Sequence, residues 1–359
     1  MSVLQTNVAA PEADREISHV ADRIASADSA REVPEERWFA PVISRQALKE
    51  LMKRSDTLGW RNFGCWLCLL LISGAGAAVA WGTWWAVPAF FVYGTIYCSS
   101  DARWHELAHG TPFKSPRLNQ IFYQFCSFLT IREATVWKWS HARHHTHTIM
   151  LGRDPEIQVE RPPKLIPLLL DFFYLVGGTK EIIKIAQHAC GHVGREVRDF
   201  VPAAELRKMV WISRAYIAIV AAVVACAIAT HSVLPCFFIW TPRFYCGWFH
   251  QLLGLTQHAG LAVDVTDHRL NSRTVYINPV FRFLYMNMNY HMEHHMLPMV
   301  PFHALPRLHQ AIRSQTPAPY PNVWSVYREM VPALLRQQRD PSYFIRRENP
   351  PPAAVKATA

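Results

Sequence analysis

The sequence predicts an all-α integral membrane protein, with four transmembrane helices arranged as two hairpins and a cytoplasmic helical cap carrying its histidine clusters. Three observations predict it. Two long stretches are nearly free of charge: residues 62–100 contain no Asp, Glu, Lys or Arg, and residues 215–263 contain only Arg243. A spanning helix needs about 20 apolar residues, so each stretch has room for two passes. Only 18% of the residues are charged, against roughly 25% in soluble domains. Finally, there are 18 histidines in 359 residues, and eight of them form three clusters at helical spacing.

Taken in order, residues 1–58 read as a polar cytoplasmic segment. It opens MSVLQTNVAAPEADREISHV, without the basic stretch and apolar core of a cleaved signal peptide. The membrane domain is expected over residues 59–315. Its first hairpin runs out over about 62–81 and back over about 82–100, turning near Trp81–Trp85, where tryptophans suit the interface. The polar region that follows contains two short apolar patches, 121–131 and 165–176. They read as interfacial or packed amphipathic helices, the second interrupted by Pro167 and Asp171. The second hairpin spans about 213–230 and 233–255. Residues 316–359 form a cytoplasmic tail with a Pro-rich end. Four passes put both termini on one side, and neither outer turn contains Lys or Arg, as the positive-inside rule requires.

The net charge of +10 therefore reads as a cytoplasmic surface lying against anionic lipid, in keeping with a bacterial inner membrane. No basic repeat or motif points to nucleic acid. GxGxxG is absent, so no flavin or nicotinamide site is indicated. Eight cysteines give no disulfide framework. Cys65 and Cys68 have C-x-x-C spacing inside the first span and read as buried thiols.

The three clusters are His105-Glu-Leu-Ala-His109, His141-Ala-Arg-His144-His145 and His291-Met-Glu-His294-His295. Spacings of three and four residues stack side chains on one helical face, so each cluster presents two or three imidazoles towards a common point. Imidazole ligates iron and zinc alike. Eight imidazoles exceed the needs of one ion and suit two.

This pattern, HxxxH, HxxHH and HxxHH in hairpin–clusters–hairpin–cluster order, resembles the membrane fatty acid desaturase family over about residues 60–315, including the run NYHMEHHMLP. The resemblance implies two iron ions, dioxygen as co-substrate, insertion of a C=C bond into an acyl or alkyl chain, and electrons from a separate ferredoxin or cytochrome b5-type donor. The N-terminal segment has no haem or iron–sulfur ligand pattern of its own. The resemblance also implies a ninth histidine near the cytoplasmic end of the fourth helix. His258 is the better match, and His250, on the same helical face, is the alternative. Within the family, a small amphiphile such as dihydrorhizobitoxine is an alternative substrate, and hydroxylation is an alternative outcome.

Carboxylates should orient the imidazoles by accepting their distal N–H groups. Asp101, Asp154, Asp264 and Asp267 are candidates, and Asn287 could hold a metal-bound water. His147 reads as peripheral. His188-Ala-Cys-Gly-His192 repeats the HxxxH spacing, but its glycine weakens the helix and no partner cluster adjoins it. Arg243 reads as snorkelling to the outer interface beside Pro242, since the 15 residues to His258 span about 22 Å along a helix. Two readings of another class compete. His105-Glu106-Leu-Ala-His109 is also the HExxH of an intramembrane zinc metalloprotease, with Asp154 as a distant ligand, but that leaves HARHH and HMEHH without a purpose. A non-catalytic metal carrier would need the ligands but no substrate slot.

Overall fold

The computed structural model describes residues 38–350. Residues 1–37 of the expected N-terminal segment and 351–359 of the Pro-rich tail lie outside the described residues. Helix α1 (Asp56–Ala80) starts at Ser55, whose hydroxyl accepts the Leu58 N–H, with Asp56 at the positive end of the helix dipole. It stops at Trp81. Gly82, at φ +84, makes the turn, and α2 (Ala86–Cys98) returns. The hairpin therefore turns where the sequence predicts.

After a single break at Ser99, α2 continues as α3 (Ser100–Ala108), which carries the first histidine cluster. The Ser99 hydroxyl donates back to Ile96 O at 2.6 Å, which keeps the two segments nearly continuous. Helix α4 (Pro116–Leu129) is amphipathic, burying Tyr123, Cys126 and Leu129 and exposing Ile121 and Phe125. Helix α5 (Ala134–Thr146) carries the second cluster. Its cap is Glu133, whose carboxylate accepts the Thr135 and Val136 N–H groups. The second patch forms a short helix, Leu165–Leu170, and a 3-10 turn leading into α6 (Leu175–Ala189).

Helix α7 (Ala203–Ala229) is the second long apolar helix. Among the described residues, Arg45–Ala80 and Ala203–Ala229 are the two helices long and apolar enough to cross a membrane. Only 28% and 11% of their most apolar stretches are buried inside the protein, whereas a soluble core helix would be mostly covered. Cys65 and Cys68 lie on the bare face of α1 as free thiols, so the expectation that they are buried is corrected.

The segment expected as one helix over 233–255 is a further correction. It consists of a 3-10 turn (Leu234–Phe238), α8 (Thr241–Cys246) and α9 (Trp248–His258). Trp240 takes a positive φ of 63, and Pro242, which has no N–H to donate, starts α8. At Gly247 a Cβ would lie 2.7 Å from Arg243 O and 3.0 Å from Phe172 O, so glycine lets the chain bend against Phe172. The third cluster lies on α10 (His291–Met296), pinned at its start by the bridge between Thr274 and Tyr290. Helix α11 (Leu305–Ile312) packs against it, and α12 (Val323–Gln337) packs against α9.

At Gly94, where α2 crosses α8, a Cβ would meet the Tyr245 ring and lie 2.7 Å from Cys246 Sγ. Gly94→Val should lower stability by about 1–3 kcal/mol through overpacking. A fall in the thermal unfolding temperature of the detergent-solubilised protein checks this, and an unchanged value would show that the crossing gives way freely.

Candidate metal centre

All nine histidines singled out in the sequence come together. His105, His109, His141, His145 and His294 form one group, and His144, His258, His291 and His295 a second. Within each group the ligating atoms lie within 4.8 Å of one another. The groups adjoin, with the His145 and His295 rings stacked at 4.4 Å between centroids. Helix spacing explains the sharing: on α5, His141 and His145 are four residues apart and face the first group, while His144 faces the second.

The outward nitrogens show which atoms point inward. His258 Nδ1 donates to Asn271 O at 2.7 Å, and His144 Nδ1 donates to Asp154 Oδ2 at 2.8 Å. The Thr148 hydroxyl spends its proton on His144 O, so its oxygen accepts from His295 Nδ1 at 3.2 Å. Each of these three imidazoles is then left with a bare lone pair on Nε2. Yet the Nε2 atoms crowd together, His258 to His291 at 2.9 Å and His295 to His291 at 3.0 Å. One N–H on His291 cannot satisfy three lone pairs. The first group repeats the arrangement: His141 Nδ1 meets Glu156 Oε2 at 3.0 Å while its Nε2 faces His109 Nε2 at 3.0 Å. His105 is buried with neither ring nitrogen bonded to protein. Converging lone pairs of this kind fit bound cations, and imidazole suits iron or zinc.

Burial and neighbouring imidazoles hold His105, His109, His145, His291, His294 and His295 well below the usual histidine range, and His258 at about 3. The rings are thus neutral, the form that ligates metal. His144 moves the other way: burial opposes its charge, but the Asp154 carboxylate outweighs it and raises the pKa.

Of the acids expected to orient the rings, Asp154 meets a cluster histidine. Asp264 instead accepts the Leu151 N–H, and Asp267 caps a short helix and pairs with Arg269. Asn287 sits at φ +58 and donates to Phe302 O at 2.8 Å, so its amide is engaged there. Asp101 accepts from Arg132 and lies within ion-pair distance of Arg243 and His250, rather than meeting a cluster ring. His250 is accounted for by that contact, and His258 is the histidine that joins the second group. The snorkelling expectation for Arg243 is overturned: the side chain is fully buried and paired with Asp101 at 3.2 Å. The break at Trp240 and Pro242 invalidates a distance measured along one straight helix. His147 ends α5 outside both groups, and Gly191, at φ +84, terminates α6 between the buried His188 and the exposed His192.

Sequence reasoning missed Glu156, Asn271 and Thr148. Glu156 stands two residues beyond Asp154, a signal available in the chain; a backbone carbonyl such as that of Asn271 leaves none. Also missed was Glu293, fully buried between the histidines of α10, which bonds Thr274 Oγ1 at 2.5 Å and His309 Nδ1 at 2.6 Å and so ties α10 to α11. Glu106, the base of the protease reading, bonds Thr111 Oγ1 at 2.8 Å and Phe302 N at 3.2 Å. Asp154, the distant ligand in that reading, is held by His144.

Comparison with known proteins adds one match. A family model described as Fatty acid desaturase covers residues 82–327, well over half of the chain. No curated protein matches it.

Asp154→Asn should weaken metal retention about 10–100-fold, because an amide is a poorer acceptor for His144 Nδ1. The measurement is metal content after graded chelator dialysis, with circular dichroism to verify that helix content is kept. Wild-type retention would show that the carboxylate does not orient the ring.

Proposed function

Because the chain belongs to the fatty acid desaturase family, whose members are oxidoreductases, we propose that it is an oxygen-dependent di-iron desaturase acting on an acyl or alkyl chain. The observation that carries this reading is the pair of buried imidazole groups with converging lone pairs. His105, His109, His141, His145 and His294 would hold one ion, and His144, His258, His291 and His295 the other. When bound, the iron pair supplies the oxidising power to remove hydrogen from an unactivated methylene, with dioxygen as acceptor. In balance, two hydrogens leave the substrate, two electrons and two protons come from a donor, and dioxygen leaves as two waters.

The chain's own residues do the positioning. Asp154, Glu156, Thr148 and the Asn271 carbonyl fix the rings by their outer nitrogens, which keeps each inward lone pair aimed. The Trp104 ring packs against His141, with centroids 5.5 Å apart, and lines the adjoining cavity. There it helps to exclude water from the carbon to be oxidised.

The bare apolar faces of α1 and α7 support a membrane location. We read residues 59–315 as the membrane domain with four crossings in two hairpins. The second crossing is α2 and the fourth is the broken segment ending at His258. Both termini and the histidines then lie on the cytoplasmic side of a bacterial inner membrane. A separate ferredoxin or cytochrome b5-type protein would supply the electrons, and the basic cytoplasmic surface suits an acidic partner.

Purified protein should contain two irons per chain and consume oxygen only with a reductant and substrate. His144→Ala and His294→Ala should each lose iron from one group and abolish alkene formation, read by metal analysis and mass spectrometry of products. One zinc per chain, or full turnover in either variant, would sink the reading.

A further inference from the structure

Three imidazoles of the second group are held from behind, by Asp154, the Asn271 carbonyl and Thr148. In the first group Glu156 holds His141, and His294 has no such partner. His294 is fully buried, its Nε2 lies 3.2 Å from His145 Nε2, and its Nδ1 makes no hydrogen bond to protein. A neutral ring that turns Nε2 towards a cation carries its hydrogen on Nδ1. A buried N–H without an acceptor is costly.

Glu106 has the opposite need. It is fully buried on α3, next to His105 in the chain. Its Oε2 accepts from Thr111 Oγ1 at 2.8 Å and from Phe302 N at 3.2 Å, while its Oε1 has no donor. Oε1 lies 3.9 Å from His294 Nδ1. That is too long for a hydrogen bond, and a relative shift of about 1 Å would close it. The other buried acids beside the histidines are committed: Glu293 bonds Thr274 and His309, Glu156 bonds Ser140 and His141, and Asp154 bonds His144. Burial pushes the Glu106 carboxyl up to about 8, and an N–H donated to Oε1 would bring it down. A single contact satisfies both buried atoms.

We propose that Glu106 is a positioning residue of the first group: its Oε1 accepts the His294 Nδ1 hydrogen and so aims His294 Nε2 at the ion. This deepens the desaturase reading and rests on its two-metal centre. The glutamate that a protease would use as a base faces the outer nitrogen of a ring here, where it orients an imidazole rather than deprotonating a water. The same carboxylate holds the Phe302 N–H, so it fixes α10 at His294 and again in the segment that follows the helix. Its two-sided duty dictates what an amide would do in its place. The amide oxygen of a glutamine must take the side of Thr111 and the Phe302 N–H, which leaves its NH2 facing His294 Nδ1. Donor then meets donor, and the ring is driven to carry its hydrogen on Nε2, where it cannot ligate.

The test reads metal retention rather than turnover. The full chain in detergent, with zinc standing in for iron at both groups, is challenged with graded chelator, and release of the two ions is followed. Glu106→Gln should weaken retention of one ion about 10–100-fold and leave the other at its wild-type value. Asp154→Asn should weaken the ion that Glu106→Gln spares. Thr111→Val removes a bond to Oε2 and leaves Oε1 in place, so it should cost far less than Glu106→Gln. An equal loss in Thr111→Val would show that Glu106 only braces the fold, and would overturn the proposal. Wild-type retention in Glu106→Gln, or equal weakening of both ions, would do the same. If Glu106→Gln does not fold, the wild type decides. With its histidine nitrogens isotope-labelled for NMR, the zinc-substituted protein should show His294 with a slowly exchanging hydrogen on Nδ1. A hydrogen on Nε2, or one on Nδ1 that exchanges freely, would overturn the contact. Because no product is measured, the contact can hold in a protein that forms no alkene. A working desaturase whose Glu106→Gln variant retains both ions sinks this proposal alone.

Discussion

Nine imidazoles are held in the protein interior with their bare nitrogens turned towards one another, and much of the architecture exists to keep that arrangement in place. Neutral rings with opposed lone pairs repel, and each ring is fixed rigidly from behind against that repulsion. Cations held between the rings would relieve it and would couple folding to metal loading, because ligand geometry and metal affinity would stabilise the same conformation.

The fixing is distributed over distant parts of the chain. The loop after α5 brings Asp154 and Glu156 back to the helix they follow, so one short segment orients His144 in one group and His141 in the other. Thr148 bonds His144 O and His295 Nδ1 and links the second and third clusters directly. Behind α10, Glu293 holds Thr274 and His309 at once, so the helix between these partners cannot rotate without breaking a fully buried contact. Rotation of α10 would turn His291, His294 and His295 out of both groups together.

A second buried network lies against the first. Asp101 follows α2 by three residues and precedes His105 by four, so the acid that gathers Arg132, Arg243 and His250 shares a helix with the first cluster. The bend before α9 is what brings Arg243 inward to that acid.

The helical spacing of the three clusters was fully legible in the sequence, because a period of 3.6 residues aligns positions three and four apart whatever the rest of the chain does. The charge-free stretches and the tryptophan-flanked turn at residues 81–85 were legible for the same local reason. His258 was legible through resemblance, and its contact with His291 agrees. Other features depend on which segments meet, and neighbouring residues do not encode that. They include the division of nine rings into groups of five and four, the partners Glu156, Thr148, Asn271 and Glu293, the inward turn of Arg243, and the polar cavity beside the imidazoles. By itself the sequence determined which imidazoles share a helical face; only the tertiary structure decided which faces meet and what lies behind each ring, because lone-pair direction is set by contacts between residues up to about 150 positions apart.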